Sequence, residues 1–311
     1  MKNKMKIIIP IALLVLVVAL WPQRRLLIVR VVGLFSPIPT LSESVVGADS
    51  VEWFDDYFTI EYIDSKTIAI GEPRYHQQNY NYLIIGETRA ILFDTGPGIR
   101  DIKPVVESLT TLPIIVSQSH LHYDHVGNHY KFDGAALPDL PHLRMRSQSG
   151  TLQLSSEEHL GFIEKFKAPN LTVSEWWALD SQIDLGGRTL TVIYAPGHTP
   201  DSIVLFDRDH KLLFAGDLIY PGLLMAMLPG SNINDYLSTT RRLVNMIPPD
   251  TRLLTAHGES SEKAGAPVLE YADLVDLQNA IEKIIAGTLK GKGFCIHSYL
   301  VNERIELLVD K

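Results

Sequence analysis

Ser119-His120-Leu121-His122-Tyr123-Asp124-His125 places three imidazoles and a carboxylate within six consecutive residues. The stretch follows an apolar, β-branched run at residues 112–117 that is typical of a buried strand. If the chain stays extended beyond that strand, alternate side chains point to the same side. His120 and His122 can then bind one cation.

The remaining ligands of the stretch indicate a second cation beside the first. Asp124 and His125 open a predicted short helix at residues 124–130, whose turn aims both side chains the same way. Zinc usually takes four ligands, so neither pair completes a metal site alone. Three downstream residues each follow an apolar run and border a Gly or Pro turn, as expected at the carboxyl edge of a sheet: His198, Asp217 and His257.

This pattern resembles the metallo-β-lactamase-fold hydrolases, specifically the branch with a glyoxalase II-like ligand set. The resemblance runs from about residue 67 to about residue 257, with weaker motifs as far as a helix that ends near Gly287. Upstream, Phe93-Asp94-Thr95-Gly96 matches the family's Asp-x-Gly turn before the first long helix. The resemblance implies an α/β fold, a four-layer αβ/βα sandwich, with residues 61–311 as the hydrolase domain.

The family also implies a dinuclear metal site. Its first metal would be bound by His120, His122 and His198, and its second by Asp124, His125 and His257, with Asp217 bridging the two. Zinc is the default metal, and iron or manganese are alternatives that accept nitrogen and oxygen ligands.

The chemistry expected of such a site is hydrolysis of an acyl bond. Two metals about 3.5–4 Å apart can share a hydroxide that attacks a carbonyl. The expected substrate is a small molecule with a thioester, ester or lactone bond. A β-lactam substrate and a non-catalytic metal-binding or partner-binding module are the alternatives. Asp124 has a predicted second role in orienting the hydroxide and passing a proton to the leaving group.

Tyr220 is a candidate catalytic residue outside the ligand set. It lies three residues after Asp217, a spacing that resembles the tyrosine near the substrate carbonyl in acyl-homoserine lactone lactonases. A phenol there could donate a hydrogen bond to a developing oxyanion. Packing beneath the site is the alternative role. The loop around His76, the pair Trp176-Trp177 and residues 225–230 are further candidates for lining the substrate pocket.

Composition limits the classes of partner. The chain has 311 residues, of which 46% are hydrophobic, enough to bury a sizeable core. A single cysteine, Cys295, excludes an intramolecular disulfide and a cysteine-based zinc site. The net charge is −8, and residues 1–42 carry six basic residues and no acid, so subtracting six leaves −14 for the remainder. An acidic domain repels phosphate backbones, so we expect no nucleic acid partner.

The N-terminus is predicted to be a targeting segment. Residues 7–20 form an uncharged apolar run of 14 residues behind three lysines, and residues 1–22 are assigned as a signal-anchor or transmembrane segment. Residues 23–60 are predicted to be a basic stretch and linker. We expect a membrane-anchored protein whose catalytic domain is extracytoplasmic, on the periplasmic side. Secretion after signal cleavage is the alternative.

Elsewhere, periodicity predicts alternating strands and helices. Strands are expected at residues 67–70, 82–86, 89–94, 189–194, 202–206, 211–214, 294–296 and 304–309, and helices at residues 99–109, 155–166, 234–246 and 267–286. Ser155 and Glu158 form a predicted capping box at the start of the second of these helices. The oligomeric state is left open.

Overall fold

The computed structural model describes residues 23–36, 40–43, 45–258 and 263–310. The predicted signal-anchor or transmembrane segment, residues 1–22, lies outside these ranges. Within them, no helix has both the length and the apolar character that crossing a bilayer requires.

Helices and strands alternate along the described chain. The helices are α1 (Arg24–Phe35), α2 (Lys103–Leu109), α3 (Tyr123–Val126), α4 (Pro141–Arg146), α5 (Ser156–His159), α6 (Ile233–Met246) and α7 (Tyr271–Ile285), with 3₁₀ turns at His129–Lys131 and Gly161–Glu164. The strands are β1 (Val46–Gly47), β2 (Val51–Trp53), β3 (Thr59–Asp64), β4 (Thr67–Glu72), β5 (Asn79–Ile85), β6 (Ala90–Phe93), β7 (Ile114–Ser117), β8 (Ala135–Pro138), β9 (Ser147–Gln148), β10 (Thr151–Gln153), β11 (Asn170–Trp177), β12 (Gln182–Asp184), β13 (Thr189–Tyr194), β14 (Ile203–Asp207), β15 (Leu212–Gly216), β16 (Gly222–Ala226), β17 (Arg252–Thr255), β18 (Lys263–Ala264), β19 (Val268–Glu270), β20 (Lys292–Gly293), β21 (Ile296–Leu300) and β22 (Ile305–Asp310).

Two large sheets position the site. The first has ten strands in the order β2-β3-β4-β5-β6-β7-β8-β11-β10-β9, and the second has six in the order β12-β13-β14-β15-β17-β19. Pairing in the first sheet is antiparallel from β2 to β6 and parallel from β6 to β8. A smaller sheet has the strand order β16-β22-β21-β20. It pairs β22, the last strand of the described chain, with β16, the strand that follows β15.

The main core lies between the two large sheets, which pack face to face. Tyr82 of the first sheet and Phe214 of the second meet with ring centroids 5.5 Å apart, inside one apolar cluster drawn from both sheets. Helices cover the outer faces: Val106 of α2 packs on the first sheet, and Leu243 and Leu277 of α6 and α7 pack on the second. Side chains that alternate along each strand therefore serve two separate cores.

A buried ion pair joins the two sheets. Arg188 precedes β13, and its Nε donates to Oδ2 of Asp207 in β14 at 2.7 Å. Its other nitrogens reach the first sheet and its adjoining turn, donating to Oγ1 of Thr67 at 2.7 Å and to the carbonyl oxygen of Lys66 at 2.8 Å. Arg188 and Asp207 are 3% and 0% exposed, so water does not compete for these contacts.

Most predicted elements are present, but several bounds differ. The strand predicted at residues 294–296 falls mostly on the bend between β20 and β21, and the helices predicted at residues 99–109 and 124–130 are shorter, at Lys103–Leu109 and Tyr123–Val126. Two further helices also differ. The helix predicted at residues 267–286 begins late, because Val268–Glu270 pairs with β17 as an edge strand and Glu270 then caps α7 with Asp273. The helix predicted at residues 155–166 has its capping box but ends after one turn, because Leu160 adopts a left-handed conformation with φ +56°.

The stretch predicted as a basic region and linker, residues 23–60, contains regular structure. It includes α1, β1, β2 and the start of β3. Two of its arginines, Arg24 and Arg25, form ion pairs with Asp310. This part of the chain therefore packs onto the α/β domain.

Candidate metal centre

Loops at the carboxyl ends of four strands bring the predicted ligands together. The loop after β7 and the first turn of α3 carry His120, His122, Asp124 and His125. The second sheet supplies the others after β13, β15 and β17, namely His198, Asp217 and His257. All seven side chains are buried.

Three histidines form the first group of ligand atoms. Nδ1 of His122 lies 2.8 Å from Nε2 of His120 and 3.1 Å from Nε2 of His198. Burial lowers the pKa of each of these side chains, and nearby imidazoles lower it further. Neutral imidazole is the form that binds a metal. The three nitrogens therefore present a donor set for one cation.

Asp217 connects this group to a second one. Its Oδ2 lies 3.6 Å from Nε2 of His198, whereas its Oδ1 lies 3.4 Å from Nε2 of His125 and 3.1 Å from Nε2 of His257. Oδ2 of Asp124 lies 3.6 Å and 3.5 Å from the same two nitrogens of His125 and His257. The carboxylate of Asp217 thus faces both groups, with a different oxygen toward each.

Whether a metal fits the second group can be judged from two of its atoms. Among the described residues, Nε2 of His125 and Oδ1 of Asp217 are buried without a hydrogen-bond partner. Leaving a buried polar atom unpaired costs about 1–3 kcal/mol, so native proteins seldom do so. A divalent cation would satisfy both atoms, and imidazole nitrogen with carboxylate oxygen is a zinc donor set.

The charged members of the second group shift one another's pKa values. Although burial opposes the charged forms, Asp217 raises the pKa of His257, and the carboxylates of Asp94, Asp124 and Asp217 raise that of His125 well above its usual range. The same two imidazoles hold the pKa of Asp217 well below its usual range. Positive charge is therefore favoured beside Asp217, and a bound cation would supply it.

Backbone carbonyls orient two of the histidine rings. Nδ1 of His198 lies 2.9 Å from the carbonyl oxygen of Met225, and Nδ1 of His257 lies 3.0 Å from that of Gln77. A carbonyl can only accept, so each ring carries its proton on Nδ1 and leaves Nε2 free for a metal.

Asp94 performs the same task for His125, and the sequence assigned it no role. Its Oδ2 lies 2.9 Å from Nδ1 of His125, and its Oδ1 accepts the backbone N–H of Ser119 at 2.6 Å. Its φ of +65° is uncommon for a residue other than glycine. Asp94 directly follows β6. A position just after a strand also identified three of the ligands, so this position was the feature of the sequence that could have indicated a role for Asp94.

Gly216 allows the loop that carries Asp217 to approach the histidine loop. It has a φ of +51°, and a Cβ atom at this position would lie 2.3 Å from Cβ of Ser119. A larger residue would therefore push the two ligand loops apart.

The ligands open into a cavity of about 420 Å³. Tyr220 lines it beside four of the ligands, His122, Asp124, His198 and Asp217. Most of the remaining wall is apolar. The predictions that His76 and residues 225–230 border the pocket are confirmed for His76, Met225, Met227 and Leu228. The same prediction for Trp176 and Trp177 is wrong, because neither lines this cavity.

Glu164 also lines this cavity and was missed by the sequence analysis. It accepts hydrogen bonds from the hydroxyls of Tyr123 at 2.6 Å and Tyr75 at 2.5 Å, and it lies 2.7 Å from Nε2 of His76. Although burial opposes the charged form, these bonds lower the pKa of Glu164. A continuous helix over residues 155–166 gave no reason to single it out, whereas the 3₁₀ turn places it here.

Tyr220 packs against the second group of ligands. Its ring meets that of His257 edge to face, with centroids 4.9 Å apart. Its hydroxyl donates to the carbonyl oxygen of Leu223 at 2.9 Å. The role of this hydroxyl as an oxyanion donor stays a prediction.

We expect Tyr220→Phe to change kcat by less than about threefold, because the hydroxyl donates its only proton to the backbone carbonyl of Leu223. The measurement is kcat and KM for the variant and the parent on one substrate. A loss of kcat of about 100-fold with little change in KM would instead assign the hydroxyl to the transition state.

The other histidines named here stay outside the ligand groups. In the described part of the chain, the six remaining histidines belong to no group that could hold a metal: His76, His129, His142, His159, His210 and His297.

Comparisons with known sequences identify the superfamily. The sequence model of the metallo-beta-lactamase superfamily matches residues 75–274, which is more than half of the chain. Acyl-coenzyme A thioesterase MBLAC2 of Gallus gallus is 30% identical over 212 residues, 62% of this chain and 76% of that protein. Hydroxyacylglutathione hydrolase of Aeromonas hydrophila is 28% identical over 182 residues, 58% of this chain and 61% of that protein.

Solved structures agree on the fold. The metallo-beta-lactamase from Pontibacter korlensis has a TM-score of 0.54 and 18% identity, covering 72% of this chain and 99% of that one. The predicted mixed α/β fold and the predicted family are both confirmed. The chain therefore belongs to the metallo-beta-lactamase superfamily.

Proposed function

We propose that the protein is a metal-dependent hydrolase of acyl thioesters that works with two divalent cations, zinc being the default. The observation that carries this proposal is the seven-residue donor set, with its two unpaired buried atoms, opening into a largely apolar cavity. Relatives named as an acyl-coenzyme A thioesterase and a hydroxyacylglutathione hydrolase favour a thioester over an ester or lactone.

The protein supplies the binding positions for the cations. One would be held by His120, His122 and His198 and the other by Asp124, His125 and His257, with Asp217 shared through its two oxygens. When bound, such cations polarise a carbonyl and lower the pKa of water to about 7, which provides a nucleophile at neutral pH.

The chain itself orients these groups and moves a proton. Asp94 and the carbonyls of Met225 and Gln77 fix the rings they contact. Asp124 is the proton carrier, and Asn79 steadies its backbone by donating to its carbonyl oxygen at 2.9 Å. In the reaction, water adds to the acyl carbon and the carbon–sulfur bond breaks. The proton lost by water passes through Asp124 to sulfur, giving a carboxylic acid and a thiol.

A substrate panel tests the proposal. The purified, zinc-loaded full chain is assayed against acyl thioesters, acyl-homoserine and simple lactones, aryl esters and a chromogenic β-lactam. We expect a thioester to reach a kcat/KM near or above about 10⁴ M⁻¹s⁻¹, the lower edge of ordinary enzymes. Faster turnover of another class would replace the thioester assignment. Negligible turnover of every class by a protein that holds two metals would favour a binding module.

A further inference from the structure

Helix α1 forms one wall of the cavity that contains the ligands. Ile28, Val29 and Val32 line that cavity together with His122 and Asp217. Positions i, i+1 and i+4 lie on one face of a helix, so these three side chains form a continuous apolar strip. The strip belongs to a segment that the sequence analysis assigned to a linker.

The helix is attached to the domain at both ends. Near its start, Nε of Arg25 donates to Oδ2 of Asp310 at 2.8 Å, and the same guanidinium bonds the carbonyl oxygen of Ser231. Near its end, Nζ of Lys165 donates to the carbonyl oxygen of Gly33 at 2.7 Å. A Cβ atom at Gly33 would lie 3.1 Å from Cα of Ile163, so a glycine suits this close approach.

Between these attachments, Val29 packs beside the ligand loop. It is 4% exposed and shares an apolar cluster with Tyr123 and Leu160. Tyr123 stands between the ligands His122 and Asp124. The wall formed by α1 therefore reaches the reacting end of the cavity.

The two sides of the site differ in polarity, because a second cavity beside the ligands is polar. It measures about 310 Å³, also reaches His122, and is lined by polar groups that include Arg146, Glu158 and Asp201. A hydrocarbon chain would leave such groups unsolvated and unpaired. The apolar cavity beside α1 is therefore the one that can accommodate a hydrocarbon chain.

We propose that the acyl chain of the substrate lies against α1 and that Val32 limits the chain length accepted, so that the preferred substrates are thioesters of long-chain fatty acids. This inference rests on the proposed function, because a carbonyl at the ligand cluster places its acyl chain in the adjoining apolar cavity. Each methylene buried there raises kcat/KM by about threefold to fourfold until the cavity is filled.

Two neighbouring valines provide a matched test. Val32 is 52% exposed and lines the cavity, whereas Val31 is 53% exposed and does not line it. Half-exposed positions tolerate a larger side chain, so both Val32→Trp and Val31→Trp are expected to fold. The full-length, zinc-loaded proteins are assayed on thioesters with acyl chains of about 4 to 16 carbons.

We expect Val32→Trp to lower the ratio of kcat/KM for the longest chain to that for the shortest by at least tenfold. The same ratio in Val31→Trp should stay within about twofold of the parent. An unchanged ratio in Val32→Trp, or an equal change in both variants, would overturn the inference.

Binding of a fluorescent fatty acid, 11-dansylaminoundecanoic acid, separates this inference from the proposed function. Weakening of its Kd by at least fivefold in Val32→Trp, but not in Val31→Trp, supports the acyl-chain wall even if no thioester is hydrolysed. Equal Kd values in the parent and both variants, or no binding to the parent, reject it.

Discussion

Asp217→Ala is expected to lose metal and turnover together, with bound metal falling by about one equivalent per chain and kcat/KM falling by more than about 100-fold. The reason is that Asp217 presents one oxygen to His198 and the other to His125 and His257. Without it, neither group keeps its shared ligand. Metal content by mass spectrometry and kcat/KM on the fastest substrate of the panel measure both effects.

A pair of histidine variants shows whether such losses are specific. His122→Ala should also lose metal and activity. His129 is likewise buried, but its ring nitrogens bond Thr95 at 2.8 Å and Gln118 at 3.1 Å rather than a ligand side chain. His129→Ala should therefore keep its metal. Full activity in Asp217→Ala at unchanged metal content would contradict the ligand assignment.

Arg188→Ala is expected to lower the free energy of unfolding by about 3–5 kcal/mol, because it leaves the buried carboxylate of Asp207 without its main partner. It also removes the contacts that join β13 and β14 to Thr67 and Lys66 across the sheets. Chemical denaturation at constant pH and metal concentration measures the loss.

Two controls separate charge burial from loss of side-chain volume. The double variant Arg188→Met with Asp207→Leu should recover most of the stability, because it removes both charges. Arg241 pairs with Glu282 at 2.8 Å where both side chains are exposed, and Arg241→Ala should cost less than about 1 kcal/mol. Equal losses of unfolding free energy in Arg188→Ala and Arg241→Ala would show that the buried ion pair contributes no more to stability than the exposed one.

The ligand positions could be predicted because each depends on a short stretch of chain. His120, Asp217 and His257 lie within three residues of the ends of β7, β15 and β17, and the face-to-face packing of the two sheets then brings their loops to one edge. Asp94 follows β6 in the same way, but its role depends on the distance to His125, which no local pattern contains.

Features that depend on partners far away in the sequence could not be predicted. The stretch that forms α1 was predicted to be part of a basic stretch and linker, because its attachment, Asp310, lies 285 residues from Arg25 and no local pattern indicates it. The pairing of Val268–Glu270 with β17 likewise displaced a start that helical periodicity placed at residue 267. The periodicity of apolar residues indicates which face of a helix or strand is buried, but it does not identify the element that covers that face.

The bond between Arg25 and Asp310 has a consequence for synthesis of the protein on the ribosome. Chains grow from the amino end, and domains fold largely in that order. Helix α1 emerges before the sheets it covers, and its ion-pair partner follows Arg25 by 285 residues. The ligand loops can assemble earlier, since His257 precedes Asp310 by 53 residues. Helix α1 is therefore synthesised long before the ion pair that attaches its first turn can form.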